Sequence, residues 1–216
     1  MQLAHPMVAR GVAEHSGFES DPFARLRATL DASYTIVFGT EEHARETAAV
    51  IDAVHQRVRG DGYHATDPQL LLWVHSTLVD TAMRIHSRFL GGLSPEDQDE
   101  YYRQSMLVAE LLGVPIELQP PDLASFRAYV RAMVGTLEVT DEARQLARSI
   151  LHPKLPWVAE PFVELGRQVT VGLLPPPLRR QYRLSWDRPR QAAMLTAGLV
   201  ARQVLPRLPG PLRRVA

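Results

Sequence analysis

The stretch DPQLLLWVHSTLVDTAMRIHSRFL, residues 67–90, decides the fold that this sequence predicts. Asp67 can cap a helix, Pro68 needs no amide partner in the first turn, and Gly91 with Gly92 ends the pattern after about six turns. Its apolar residues cover more than a single stripe, which predicts that other elements surround most of its first half. We therefore expect a central helix around which the chain is built.

Five polar residues interrupt the apolar surface of this helix: His75, Ser76, Thr77, Asp80 and Thr81. A buried polar group without a partner costs roughly 1–3 kcal/mol, so each of them requires a partner. An ion pair from Asp80 to Arg84 and bonds from the hydroxyls to the backbone would supply these partners without any function. Leu78 belongs to the apolar set, and we expect it to be enclosed, so that Leu78→Ala would cost about 2–5 kcal/mol.

The composition fits one globular domain and excludes several kinds of chemistry. The 216 residues are 45% hydrophobic, and 24 basic residues balance 24 acidic ones, which leaves no positive excess for binding nucleic acid. There is no cysteine, so disulfides, thiolate catalysis and Cys-bound metals are excluded. No signal peptide is visible and no apolar run approaches the ~20 residues of a membrane span, so the expected location is cytoplasmic.

Helix signals recur along the chain. Asp21-Pro22 opens a helix that Gly39 ends, and Thr40 caps a third helix predicted to reach Arg59. Later starts lie at Ser94-Pro95, at residues 122, 140, 157, 177 and 188. No convincing alternating strand pattern is present. The predicted fold is all-α, with eight to ten helices and no sheet.

Most enzyme signatures are absent. The sequence contains no Gly-x-Ser-x-Gly elbow, no phosphate loop, no Gly-x-Gly-x-x-Gly and no His-Glu-x-x-His. A helical di-iron site needs a carboxylate-x-x-His pattern on two helices, and Asp52 with His55 is the only such pair on a predicted helix. A single His facing an apolar pocket is enough to hold a haem. His55 lies at the edge of an apolar helix face, where it is either a ligand or a structurally satisfied histidine.

A series of short patterns follows in order along nearly the whole chain and resembles one family. The patterns include Ala4-His5-Pro6, His15-Ser16-x-Phe18, Asp21-Pro22-x-x-Arg25-Leu26-x-x-Thr29, His55-x-x-Val58-x-Gly60, Tyr63-x-Ala65-x-Asp67-Pro68, Trp73-Val74-His75-x-Thr77-Leu78, Tyr101-Tyr102 and Leu112-Gly113-Val114-Pro115. Together they resemble the MpaB and rubber-oxygenase (latex clearing protein) family, the DUF2236 domain. The resemblance implies haem b, a globin-like helical core and addition of dioxygen across a carbon–carbon double bond.

The resemblance also implies roles for particular residues. His55 corresponds to the proximal haem ligand, and Arg25 and Thr29 correspond to the distal Arg and Thr. His75 is a second candidate ligand. A neutral imidazole binds iron through one nitrogen while the other donates a hydrogen bond, which Asp52 or a backbone oxygen could accept. Purely structural explanations are a surface ion pair for Arg25, a bond back to the helix for Thr29 and a core histidine for His75.

Two features of the chain depart from the family pattern. The rubber-cleaving members carry a lysine where this chain has Ala28, which puts a polyisoprene substrate in doubt. The family also has a helix before its Ala-His-Pro pattern, which stands here at residues 4–6. We therefore expect residues 1–216 to form one DUF2236 domain without that first helix. An apolar stripe left uncovered favours association, so a homo-oligomer is one expected form.

Three functions remain open at this level. The first is a haem b-dependent oxygenase that acts with dioxygen on an apolar, unsaturated small molecule. The second is a haem-binding or fold-only member of the family without oxygenase activity. The third is a helical di-metal oxidase. None of the three involves nucleic acid or a transmembrane segment.

Overall fold

The computed structural model describes residues 1–15, 22–153 and 155–207, with side chains from residue 27 onward in the second range. The described residues form ten α-helices and one short hairpin: α1 Pro6–His15, α2 Pro22–Phe38, α3 Glu41–His55, β1 Arg59–Gly60, β2 Tyr63–His64, α4 Pro68–Ile85, α5 Pro95–Leu111, α6 Leu123–Thr136, α7 Asp141–Leu151, α8 Glu160–Leu173, α9 Pro176–Gln181 and α10 Arg188–Val204. The prediction of an all-α fold with eight to ten helices is confirmed. None of the described helices is long and apolar enough to cross a membrane.

The region between α3 and α4 differs from the prediction. Helix α3 ends at His55 rather than at Arg59, and strands β1 and β2 then pair antiparallel, with Arg59 opposite His64. The turn between them contains Gly62 at a φ of 77°, a left-handed conformation that glycine adopts without strain. An Asp-Gly pair is a hairpin signal, but strands of two residues are too short to show the alternation that identifies a strand.

Helix α4 begins as the sequence predicts. The carboxylate of Asp67 accepts a hydrogen bond of 2.8 Å from the amide of Gln69, and Pro68 occupies the first turn. After Ile85 the helix widens into one π-helical turn, His86–Leu90, which ends at Gly91 with a φ of 102°. The boundaries are set locally, by a cap at one end and a left-handed glycine at the other.

The first half of α4, residues 68–79, lies in the core. Its buried residues are Leu70, Leu72, Trp73, Ser76, Thr77 and Val79. The Trp73 side chain is completely buried, and its indole N–H donates to the carbonyl of Gln2 over 3.0 Å. Around it pack apolar side chains from α5, α6, α7 and α9, among them Phe126 and Leu178. The predicted central helix is therefore confirmed for its first half.

Leu78 does not have the predicted environment, because 51% of its surface is exposed. It lines an apolar groove of about 430 Å³ together with Ile85 of α4, Ile150 of α7 and Leu174, which follows α8. No described element covers this groove. The prediction that Leu78 is enclosed is wrong, since a periodic apolar pattern indicates which side a residue faces but not whether another element closes over it.

The polar residues of α4 only partly find the predicted partners. Asp80 pairs with Arg84 over 2.5 Å, and the Thr77 hydroxyl donates to the carbonyl of Val74 over 2.7 Å, both as predicted. The Ser76 hydroxyl and the Nε2 atom of His75 are buried without a hydrogen bond to any described residue. Buried polar groups without a hydrogen-bond partner lower the stability of the folded protein.

Candidate functional site

His55 is the last residue of α3, and its position follows from where that helix starts and ends. The Thr40 hydroxyl accepts a hydrogen bond of 3.3 Å from the amide of His43 and fixes the start of the helix. The imidazole is half-buried and lines a cavity of about 260 Å³. We call this the His55 cavity. It lies between α1, the end of α3, the hairpin and the first half of α4.

The walls of the His55 cavity are mostly apolar. Helix α1 contributes residues spaced along one of its faces, and α4 contributes its first turns. The apolar and aromatic lining residues are Met7, Val8, Val12, Val54, Val58, Tyr63, Ala65, Leu70, Leu71 and Val74. Such a mostly apolar lining, with a few polar side chains, is typical of sites for apolar small molecules.

Burial keeps the His55 imidazole neutral near pH 7. Removal from water lowers the pKa of His55, and the nearby Asp52 carboxylate opposes that shift. Among the described residues none forms a hydrogen bond with the His55 ring nitrogens. The Asp52 carboxylate instead accepts a bond of 2.7 Å from the side-chain amide of Gln56. A neutral imidazole is the form that binds a metal ion, and the hydrogen bond predicted from its second nitrogen to Asp52 is not formed.

A polar group closes the hairpin side of the same cavity. The Tyr63 hydroxyl donates to the Glu14 carboxylate over 2.6 Å, and burial together with this carboxylate raises the pKa of Tyr63 to about 12. His15 also lines the cavity, and its Nε2 lies 3.1 Å from the carbonyl of Arg59. We did not assign Glu14, His15 or Tyr63 a role from the sequence. The apolar spacing of α1 was the signal that could have placed this face against the cavity.

The other predicted site residues lie elsewhere or outside the described side chains. Thr29 is exposed on α2 and does not line the His55 cavity. The Arg25 side chain lies outside the described residues, so the distal roles of Arg25 and Thr29 stay predictions. Among the described side chains, Thr29 does not lie in the wall of the cavity that contains His55.

His75 is separate from the His55 cavity and faces α5. Burial lowers the pKa of His75 to about 4, and a hydrogen bond with the Ser105 backbone opposes this shift to a smaller extent. Its imidazole is therefore neutral near pH 7, as a metal ligand must be. Among the described residues, no group of three His, Asp or Glu side chains is placed to hold a metal ion.

The His55 imidazole is suited to bind a haem iron, but the His55 cavity is small for a haem. A half-buried, neutral imidazole on an apolar wall matches an axial haem ligand. The cavity of about 260 Å³ lies just below the range of roughly 300–1,000 Å³ that is usual for ligand sites. His55 thus fits the group, whereas the surrounding walls would have to move apart to admit it.

These features define a class: an all-α protein with a half-buried, neutral imidazole in the wall of a mostly apolar cavity. A family model described as "ER-bound oxygenase mpaB/B'/Rubber oxygenase, catalytic domain" matches residues 1–203. The chain belongs to this family, and the predicted resemblance is confirmed. An oxygenase by definition combines dioxygen with a substrate. No curated protein and no solved structure matches the chain.

Proposed function

We propose that this protein is a haem b-dependent oxygenase that binds the haem iron through His55 and acts on an apolar, unsaturated small molecule. The observation that supports the proposal is the His55 imidazole, which burial keeps neutral on the wall of an apolar cavity. The family resemblance assigns the proximal ligand to this same residue. The described residues leave its ring nitrogens available.

Each part of the site has a role in this proposal. Haem, when bound, supplies the activation of dioxygen. His55 would hold the iron, and Leu71 and Val74 of α4 would keep water away from the apolar part of the substrate. The resemblance alone would make Arg25 and Thr29 hydrogen-bond donors to bound oxygen, and the exposed position of Thr29 would have to change for this role.

A second candidate function is a family member that folds in the same way without oxygenase activity. Two observations favour it: the small volume of the His55 cavity and the exposed position of Thr29. Both would be expected if the site no longer admits the cofactor. The two candidates differ in what the purified protein binds.

Visible spectroscopy tests the cofactor. The protein is titrated with haemin, and the Soret absorption of wild type is compared with that of His55→Ala and of His43→Ala, which removes an exposed histidine from the same helix. We expect the wild type and His43→Ala to bind, and His55→Ala to lose the bound spectrum or to release haem readily. Unchanged binding in His55→Ala, with loss in His75→Ala, would move the ligand to α4.

Oxygen uptake tests the reaction. The haem-loaded protein is supplied with dispersed squalene or with its saturated analogue squalane, which has the same carbon skeleton without double bonds. Uptake with squalene alone supports an oxygenase of unsaturated substrates. Binding of haem without uptake on several apolar alkenes would support the second candidate.

A further inference from the structure

A cleft lined by arginines lies at the second half of α4 and is not used by the proposed function. Its volume is about 680 Å³, inside the usual range for ligand sites, and it is bordered by α4 with its π-helical turn, α5, α6, α8 and α10. The charged residues that line it are Arg84, Arg88, Arg127, Arg131, Arg202 and Asp80. We call it the arginine cleft.

The charge of this cleft does not follow from the composition. The chain as a whole has equal numbers of acidic and basic residues, yet five guanidinium groups meet one carboxylate here. Arg84 and Arg88 are four residues apart, as are Arg127 and Arg131. Like charges at this spacing repel each other by a few tenths of a kcal/mol. Two neighbouring helices thus direct such pairs into one cleft.

Partners within the protein account for only some of these arginines. Arg84 pairs with Asp80 over 2.5 Å, and Arg127 donates to the side chain of Gln98. Among the described residues, none forms an ion pair or a hydrogen bond with the Arg88 or Arg131 guanidinium. These two groups therefore have donors available for a ligand.

The fold holds Arg88 at the edge of the cleft. Arg88 lies in the π-helical turn His86–Leu90, a rare geometry that is frequent at functional sites. Arg202 of α10 donates to the carbonyls of Ser87 and Arg88, the latter over 3.2 Å. A side chain at Gly198 would place its Cβ 2.7 Å from the Arg88 carbonyl, so α10 packs directly on this backbone. Arg202 therefore positions the turn that carries Arg88.

We propose that the arginine cleft binds a phosphate-bearing molecule through Arg88 and Arg131. The planar guanidinium fork matches phosphate oxygens, and an excess of positive charge favours a group with two or more negative charges. The half-buried side chains of Met83 and Leu173 give the cleft a small apolar part, which suits a phosphate or diphosphate attached to a short apolar chain. The same headgroup chemistry occurs in soluble phosphate esters and in lipids.

This site is independent of the His55 cavity. Val74 lines that cavity and Arg84 lines the cleft, and ten residues of one helix separate them by about 15 Å. A phosphate compound bound in the cleft therefore does not need haem. Failure of the proposed oxygenase leaves this proposal unaffected.

Calorimetry with inorganic pyrophosphate tests the site on the purified full chain at low and at physiological salt. We expect binding to the wild type that weakens as salt screens the charges. Binding should weaken about tenfold or more in Arg88→Gln/Arg131→Gln, since two charge-assisted contacts are lost. The control is Arg103→Gln, which removes an exposed arginine of α5 that pairs with Glu100 outside the cleft.

Two further arms make the result specific. Sedimentation with phosphatidylcholine vesicles, with and without phosphatidic acid, distinguishes a lipid headgroup from a soluble phosphate: pelleting that depends on both phosphatidic acid and Arg131 assigns the lipid. The single variant Arg131→Gln, at an exposed position, serves if the double variant does not fold. The proposal is overturned if the wild type binds neither probe, if the variants bind as the wild type does, or if only a polyglutamate peptide binds.

Discussion

The two halves of α4 differ in how far the rest of the protein encloses them. The first half, residues 68–79, contains six buried side chains. The second half, taken here as residues 80–90 so that it includes the π-helical turn, contains none. The first half faces the core and the His55 cavity, except at its end, where Thr77 and Leu78 line the apolar groove. The second half lines the arginine cleft and the rest of α4's side of the groove. The pattern of apolar residues predicts one long helix in both halves. Enclosure depends on which other elements meet each half, and that is a property of the whole fold.

The largest expected effect compares two leucines of this helix. Leu72 is 4% exposed and Leu78 is 51% exposed. We expect Leu72→Ala to lower the free energy of unfolding by about 2–5 kcal/mol, because it removes buried apolar surface and leaves a cavity. Leu78→Ala should cost less than about 1 kcal/mol, since half of the side chain already contacts water. Urea denaturation of the two variants measures both values.

Equal losses in the two leucine variants would contradict the difference in burial between Leu72 and Leu78. A loss of about 2 kcal/mol or more in the unfolding free energy of Leu78→Ala would show that the apolar groove is covered in solution. A second copy of the chain is one such cover. Analytical ultracentrifugation of the same samples would reveal it.

The second prediction concerns pH and the buried histidine of the first half. The pKa of His75 falls from an ordinary 6.5 to about 4 in the folded protein. The unfolded chain therefore binds a proton that the folded protein does not, and stability is lost as the pH falls from about 6.5 to about 4. At 1.36 kcal/mol for each pKa unit, His75 can account for up to about 3 kcal/mol of this loss.

Unfolding free energies at several pH values check this effect. We expect His75→Asn, which cannot take up a proton here, to show a smaller loss between pH 6.5 and 4 than the wild type. His43→Asn, at an exposed position of α3, should keep the wild-type slope. The same slope in His75→Asn and the wild type would mean that water reaches the His75 ring.

The helix starts were the most predictable part of the fold. The side chains of Thr40, Asp67, Ser94, Asp122 and Thr140 all accept a hydrogen bond from an amide two or three residues later. Such caps depend on a few neighbouring residues, so the sequence alone specifies them. The π-helical turn and the exposure of Leu78 depend on contacts between distant segments, and they were not predicted. The hairpin of β1 and β2 was missed for a different reason, because its strands are too short to show an alternating pattern.

The candidate site divides in the same way. Periodicity placed His55 at the edge of an apolar face, and the structure puts this residue in a cavity wall. The arginine cleft could not be predicted, because Arg84, Arg131 and Arg202 come together only after α4, α6 and α10 have packed. Overall neutrality of the chain conceals such a local excess of charge. The distal roles of Arg25 and Thr29 remain predictions from the resemblance.

The smallest expected effect tests the packing behind the second half of α4. Gly198 lies inside α10, and a Cβ there would meet the Arg88 carbonyl at 2.7 Å, whereas a Cβ at Gly166 inside α8 would meet nothing within 4 Å. Alanine in a helix is favoured over glycine by roughly 0.5–1 kcal/mol. We expect Gly166→Ala to raise the free energy of unfolding by that amount. Gly198→Ala should instead lower it by about 1–2 kcal/mol, because overpacking against a backbone atom outweighs the helix preference for alanine.

Urea denaturation of the two glycine variants measures these opposite changes. The pyrophosphate affinity of Gly198→Ala should fall as well, since displacement of α10 moves the π-helical turn that carries Arg88. Stabilisation of both variants would show that α10 does not hold this turn closely.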